Sequence, residues 1–130
     1  TMPILDRWAP YALGLLRIVA ALIFFEHGTQ KLFGFPARPG GGGGPDLFTI
    51  YGIAGIIEIV GGALLVVGLW VRPVAFVCSG LMAAAYWIAH APRSLYPLLN
   101  GGDAAILYCF VFFYLVFAGG GAFALDNRGK

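Results

Sequence analysis

Residues 46–72 read DLFTIYGIAGIIEIVGGALLVVGLWVR, an apolar run between Asp46 and Arg72 whose only interior charge is Glu58. A bilayer-spanning helix needs roughly 20 mostly apolar residues, and this stretch supplies them. Its hydrophobicity is continuous rather than alternating, which selects a helix over a barrel strand. At helical spacings from Glu58 stand Ala54, Gly55, Gly61 and Gly62, a stripe of small residues that lets a second helix approach closely. A carboxylate at bilayer depth is costly, so it is usually paired, protonated or functional.

The rest of the chain follows the same pattern. It has 130 residues, 60% of them hydrophobic and 11% charged, with a mean hydropathy of +0.86. Soluble domains carry about 25% charged residues, so this composition belongs to an integral membrane protein. The formal net charge of +2 is spread along the chain without a basic block, which argues against a nucleic-acid partner.

Four apolar segments, about 9–28, 47–71, 74–91 and 104–123, predict an all-α transmembrane four-helix bundle forming one domain over residues 1–130. Arg72-Pro73 and Ala91-Pro92 punctuate the second and third segments. The short link at Val71-Arg72-Pro73 makes the second and third helices antiparallel neighbours. Residues 36–46 contain five successive glycines, Gly40 to Gly44, and predict a mobile loop.

The first segment contains Arg17 and has no A-x-A cleavage signal, so it reads as a retained helix. Arg7, Arg72, Arg128 and Lys130 fall on the side of the termini, and Lys31, Arg38 and Arg93 on the other. This excess favours cytoplasmic termini.

The polar residues at depth carry the functional reading. Arg17, like Glu58, lies among small residues, and the depths counted from the ends of segments 9–28 and 47–71 predict an Arg17–Glu58 ion pair, direct or through one water. Such a pair either fixes helix register or takes part in proton or ligand chemistry.

At the opposite membrane face the topology gathers Glu26, His27, Lys31, His90, Asn100 and Asp103. These residues suit a polar bundle mouth that binds a ligand head group or relays protons. Asn100 with Asp103 resembles a capping box opening the fourth helix. No spacing among these residues enforces a metal site. Cys78 and Cys109, placed near opposite ends of their helices, are expected to remain unpaired.

The chain lacks CxxC, a haem CxxCH motif, a flavin fingerprint and an iron–sulfur cysteine set. Any redox chemistry must therefore draw its centre from a quinone or a partner. The aromatics Tyr108, Phe110, Phe112, Phe113, Tyr114 and Phe117 of the fourth helix face lipid, fill the bundle or offer a quinone-stacking surface.

Several pieces in order along the chain resemble the DoxX family of small four-helix membrane proteins. They are Leu16-Arg17, Glu26-His27-Gly28-Thr29-Gln30-Lys31-Leu32-Phe33-Gly34 and Glu58-Ile59-Val60-Gly61-Gly62. Gly68-Leu69-Trp70-Val71-Arg72-Pro73, Asn100-Gly101-Gly102-Asp103 and Leu125-Asp126 follow. The five-glycine insert departs from the pattern, and Asp103 stands where look-alikes commonly have glutamate.

The resemblance implies a bacterial or archaeal inner-membrane protein. Relatives include a subunit of a thiosulfate:quinone oxidoreductase, and others are linked to oxidative-stress complexes with thiol transferases and superoxide dismutase. It marks Arg17, His27, Lys31, Glu58, Arg72 and Asn100 as the positions to watch. The leading expectation is a quinone-interacting or non-catalytic membrane subunit with no covalently bound cofactor. The alternatives are a scaffold docking soluble redox enzymes and a small polar-solute transporter that would need to oligomerise.

Overall fold

The computed structural model describes residues 2–39 and 49–128. Helix α1 (Pro3–Phe33) is followed by α2 (Ile50–Val67) and α3 (Val71–Ala85). The third helix continues through a wide π turn, Tyr86–His90, and a 3-10 turn, Ala91–Arg93. A single-turn helix α4 (Pro97–Asn100) leads into α5 (Asp103–Ala118), and a last 3-10 turn spans Leu125–Asn127. Most of the glycine loop expected within residues 36–46 lies outside the described residues.

The architecture is all-α with four main helices. Pro3–Phe33, Ile50–Val67 and Val71–Arg93 are each long and apolar enough to cross a membrane, and Asp103–Ala118 is a shorter apolar helix. The chain is a multi-pass membrane protein. The helices form a ring in which α1 packs along α2, α2 contacts α3, α3 packs along α5, and α5 returns to α1.

The observed helix bounds differ from the sequence reading for local reasons. Pro3 opens α1 at a position where its missing N–H is no loss, so the helix starts well before residue 9. It runs on to Phe33 and stops where Gly34 turns left-handed at φ 66°. Gly68, at φ 75°, ends α2 in the same way. Helix α5 ends at Ala118 with Gly119 as its C-cap, at the glycines 119–121 that break the fourth apolar segment.

The interior is an apolar core that encloses a few polar side chains, and much of the outside is apolar as well. A core of Ala21, Phe24, Leu65, Val71, Ala75, Cys78, Met82, Phe112 and Leu115 is buried together with Arg17, Glu58, Ser79 and Asn100. Leu15, Val19, Leu22, Val60, Phe76, Phe110 and Phe117 point outward. A soluble bundle would put these apolar side chains inside; a bilayer solvates them where they are.

Candidate functional site

Two polar centres sit at different levels of the bundle, and the expected Arg17–Glu58 pair is not among their contacts. Arg17 is completely buried and spends its guanidinium on backbone carbonyls. Nε donates to Gly120 O at 2.9 Å, Nη1 to Leu65 O at 3.0 Å and Val66 O at 3.2 Å, and Nη2 to Ala122 O at 2.9 Å. Two of these acceptors are end carbonyls of α2, which no later turn of helix satisfies.

The sequence reading counted depth from residue 9. The true start at Pro3 and end at Phe33 set Arg17 deeper and bring Lys31 within reach of α2. Glu58 lies roughly 12 Å from the start of α2, close to the end of α1.

The remainder of the terminal end is backbone capping. Asp126 accepts from Trp70 N at 2.7 Å and Val71 N at 2.9 Å, closing the start of α3 and holding Trp70 at φ 54°, an uncommon region for a large side chain. Arg72 Nη1 donates to Val116 O and Phe117 O at the end of α5. The loop after α5 crosses α1 where Ala122 N donates to Pro10 O at 2.9 Å. A Cβ on Gly14 would stand 2.5 Å from Ala122 O, so only glycine admits the loop there. These contacts give Arg17, Arg72 and Asp126 positioning roles.

The second centre is the partner that Glu58 does have. Lys31 Nζ lies 2.7 Å from Glu58 Oε1 and donates its directed hydrogen bond to Oε2 at 3.0 Å. Oε1 is therefore in ion-pair contact but has no aligned hydrogen-bond donor. Glu58 is 1% exposed. Glycines make the approach between the helices: a Cβ on Gly28 would meet Gly55 O at 2.9 Å, and one on Gly55 would meet Lys31 Cβ at 3.1 Å.

Beside the pair is a cavity of about 210 Å³ lined by His27, Lys31, Glu58, His90 and Tyr108, with Met82, Ala85, Gly101, Ala104 and Ala105. Lys31, Met82, Ala85 and His90 also line a larger chamber of about 530 Å³ that reaches between α2 and α3 past Tyr51, Ala54, Leu81 and Ile88. A separate hollow of about 460 Å³ near Trp70, Val74 and Cys78 is lined by apolar side chains and the Cys78 thiol.

The two histidines are held at fixed orientations. His27 Nδ1 lies 2.9 Å from Ile23 O, and His90 Nδ1 lies 3.1 Å from Asn100 O. The His27 ring meets Tyr108 edge-on at 5.7 Å, and Tyr108 stacks on Phe112. Asn100 is buried and ties the π turn to the start of α5. Its Nδ2 donates to the Tyr86 hydroxyl at 3.0 Å and Ser94 O at 3.1 Å, and its Oδ1 accepts from Gly102 N at 2.8 Å.

The expected capping box is absent. Gly102 is the N-cap of α5, no side chain caps the helix, and Asn100 serves the turn before it. Asp103 and Glu26 are exposed and line neither chamber. The sequence candidates therefore divide. His27, Lys31, Glu58 and His90 share a cavity, Asn100 orients one of them, and Glu26 and Asp103 stand apart.

Tyr108 and Met82 were not singled out as site residues by sequence. Tyr108 was visible only as one of many aromatics, and nothing in the sequence ranked it above its neighbours. Among the described residues no three of His, Cys, Asp and Glu gather to hold a metal ion. Cys78 and Cys109 are both free thiols. They do not occupy opposite levels as expected, since Cys109 Sγ is 3.6 Å from the hydroxyl of Ser79, the neighbour of Cys78. Helix α5 ends at Ala118, so Cys109 lies nine residues from its terminal-side end, close to the seven that separate Cys78 from the start of α3.

Comparison with known proteins agrees with this architecture. The family model described as DoxX matches residues 12–91. That region holds most of α1, all of α2 and α3, and most of the cavity-lining polar groups. An uncharacterized protein of Haemophilus influenzae is 45% identical over 127 residues, covering 95% of each chain. No solved structure matches. The family match covers more than half of the chain, and the relative is similar nearly from end to end: this chain belongs to the DoxX family of membrane proteins.

Proposed function

We propose that this chain is a membrane subunit that binds a quinone-type ligand, with the ring in the cavity beside Glu58 and the tail along the apolar wall of the larger chamber. The observation that carries the reading is Glu58 itself. Its carboxylate is buried, and Oε1 lacks an aligned donor at the wall of a chamber that also holds His27, Lys31, His90 and Tyr108. A carboxylate held at bilayer depth, paired with one lysine and beside a polar cavity, is a candidate for function. Completing a ligand site is the function offered here.

The two chambers fit such a molecule. The smaller presents donors and acceptors for a polar ring. The larger has an apolar wall of Ile50, Ala54, Leu81, Ala84, Ile88 and Ala89, which suits an isoprenoid or acyl tail, together with the polar Gln30, Lys31, Arg38 and His90. The bound molecule would supply the two-electron chemistry. The chain's residues would orient the ring, exclude water, and exchange protons at Glu58 and the imidazoles. The electron donor or acceptor would be a partner protein in the inner membrane or at its surface. The cytoplasmic orientation of the termini belongs to the same reading.

Mass spectrometry of small molecules retained through gentle detergent purification tests it. A stoichiometric quinone in the native protein that is lost in Glu58→Gln or His90→Ala is the expected result. Ordinary phospholipid alone in all three samples would favour a scaffold for soluble enzymes, with Lys31–Glu58 as a structural pair.

A further inference from the structure

The larger chamber, of about 530 Å³, has a charged entrance that a neutral tail leaves unused. We infer that this chamber is a site for an anionic phospholipid, with the phosphate at Arg38 and one acyl chain between α2 and α3. What the Glu58 cavity binds does not enter the argument, and this site stands or falls without it.

Arg38 is placed at the entrance by the chain that precedes it. After Gly34 ends α1, Thr29 Oγ1 donates to Phe35 O at 2.6 Å and Gln30 Nε2 donates to Pro36 O at 3.0 Å. These bonds fold residues 35–36 back onto the last turns of α1, and Arg38 reaches the wall of the chamber. Its guanidinium carbon lies 4.8 Å from the centre of the Tyr51 ring, and Lys31 Nζ lies 5.4 Å from the same ring. Tyr51 thus gathers two cations at the start of α2.

Only one of these cations is neutralised. Lys31 is paired with Glu58, whereas no acid contacts Arg38 among the described residues. No aspartate or glutamate lines the chamber. The level in the membrane follows from α1, whose 31 residues span about 46 Å, enough to reach from one headgroup layer to the other. The end of α1, and Arg38 beside it, therefore stands among lipid phosphates. A guanidinium fork matches phosphate oxygens, and a basic pocket between membrane helices suits a lipid head group.

The wall beneath the charge is apolar, with Ile50 and Ala54 from α2 facing Leu81, Ala84 and Ile88 on the α3 side. From Ile88 to Leu81 it runs about 10 Å along the helix axis. The hollow near Trp70 and Val74 lies between the same two helices toward the terminal side, so the apolar seam continues below the chamber. A free phosphate would meet the charge and leave the wall bare. A quinone tail would cover the wall and leave Arg38 without an anion, so quinone and phospholipid compete for this wall. A phospholipid with one negative charge satisfies both features.

The test uses the purified full chain in a neutral detergent, titrated separately with phosphatidylglycerol and phosphatidylcholine of identical acyl chains. Native mass spectrometry counts the lipid retained. The expected result is one phosphatidylglycerol bound at least about fivefold more tightly than phosphatidylcholine, the factor that one basic residue supplies at a charged membrane surface. Arg38→Gln, a change on an exposed loop, should bring the two lipids level. Ala54→Phe, which fills the chamber, should weaken both. Equal binding of the two lipids by the native chain, or a preference that survives Arg38→Gln, overturns the inference. Undiminished binding in Ala54→Phe, or glycerophosphoglycerol without tails binding as tightly as the lipid, overturns it as well.

Discussion

Lys31 and Glu58 join α1 to α2 through an asymmetric contact: one ammonium reaches both carboxylate oxygens, at 2.7 and 3.0 Å, but directs a hydrogen bond to only one. The lysine side chain is 19% exposed and the glutamate 2%, so the positive end reaches toward the bundle mouth while the negative end stays dry. Removing either partner strands the other. Lys31→Met should destabilise the protein by about 3 kcal/mol, near the lower end for breaking a buried pair because lysine retains some solvent. Adding Glu58→Gln to that variant should recover part of the loss. Thermal unfolding of the two single variants and the double variant in detergent measures the coupling. Strictly additive losses would mean that the pair contributes no coupling.

Arg17 is the opposite case, a cation satisfied without any acid in direct contact. Arg17→Lys keeps the charge but not the planar fork that reaches Gly120, Leu65, Val66 and Ala122 together. We expect a loss of about 3 kcal/mol or more, from at least two charge-assisted hydrogen bonds at about 1.5 kcal/mol each. Size-exclusion profiles after a temperature ramp would show it as a shifted midpoint. An unchanged midpoint would mean that lysine can bridge the same carbonyls.

Two glycines should respond in opposite ways to the same added methyl group. Gly14→Ala drives a Cβ into Ala122 O at 2.5 Å and must displace the crossing loop, a loss of about 1–3 kcal/mol. Gly80 has open space where its Cβ would stand, so Gly80→Ala should be neutral or stabilise by up to about 1 kcal/mol through helix propensity. Paired melting curves decide this, and equal effects at both sites would contradict the observed loop crossing.

Asp126→Ala removes both acceptors from the start of α3 and leaves Trp70 without its tether. The expected loss is about 1 kcal/mol, typical of an N-cap. Faster hydrogen exchange should be confined to the first turn of α3 and residues 68–71. Exchange spreading through the whole bundle would assign Asp126 a larger role than capping.

Much of this arrangement could be read in the sequence because a bilayer imposes simple rules. Long apolar runs located four helices, and the small residues around Arg17 and Glu58 placed both inward. Helix order also brought His27, Lys31 and His90 to one face, because the end of α1 and the end of α3 lie together there, whereas Glu26 and Asp103 line neither chamber. Partner choice was not legible. It depended on the extra turns at each end of α1, which depend in turn on Pro3 being harmless at a helix start and on the tail packing back at Pro10. Asp126 caps a helix 55 positions earlier in the chain, and no local pattern encodes that. The π turn at Tyr86–His90 has no signature of its own. It is held by Asn100, whose spacing suggested a helix cap and whose contacts serve the preceding turn instead.

The carbonyls that satisfy Arg17 lie 48 to 105 positions after it in the chain. A ribosome makes the arginine early and its acceptors late. Leu65 and Val66 come with α2, but until Gly120 and Ala122 are made the guanidinium of the first helix lacks half of its acceptors and needs water or lipid head groups to solvate the rest. Only the arrival of the residues around Gly120 lets α1 take its final depth. A chain truncated before that point should leave its first helix poorly retained in the bilayer, so the residues around Gly120 help decide whether the first helix stays.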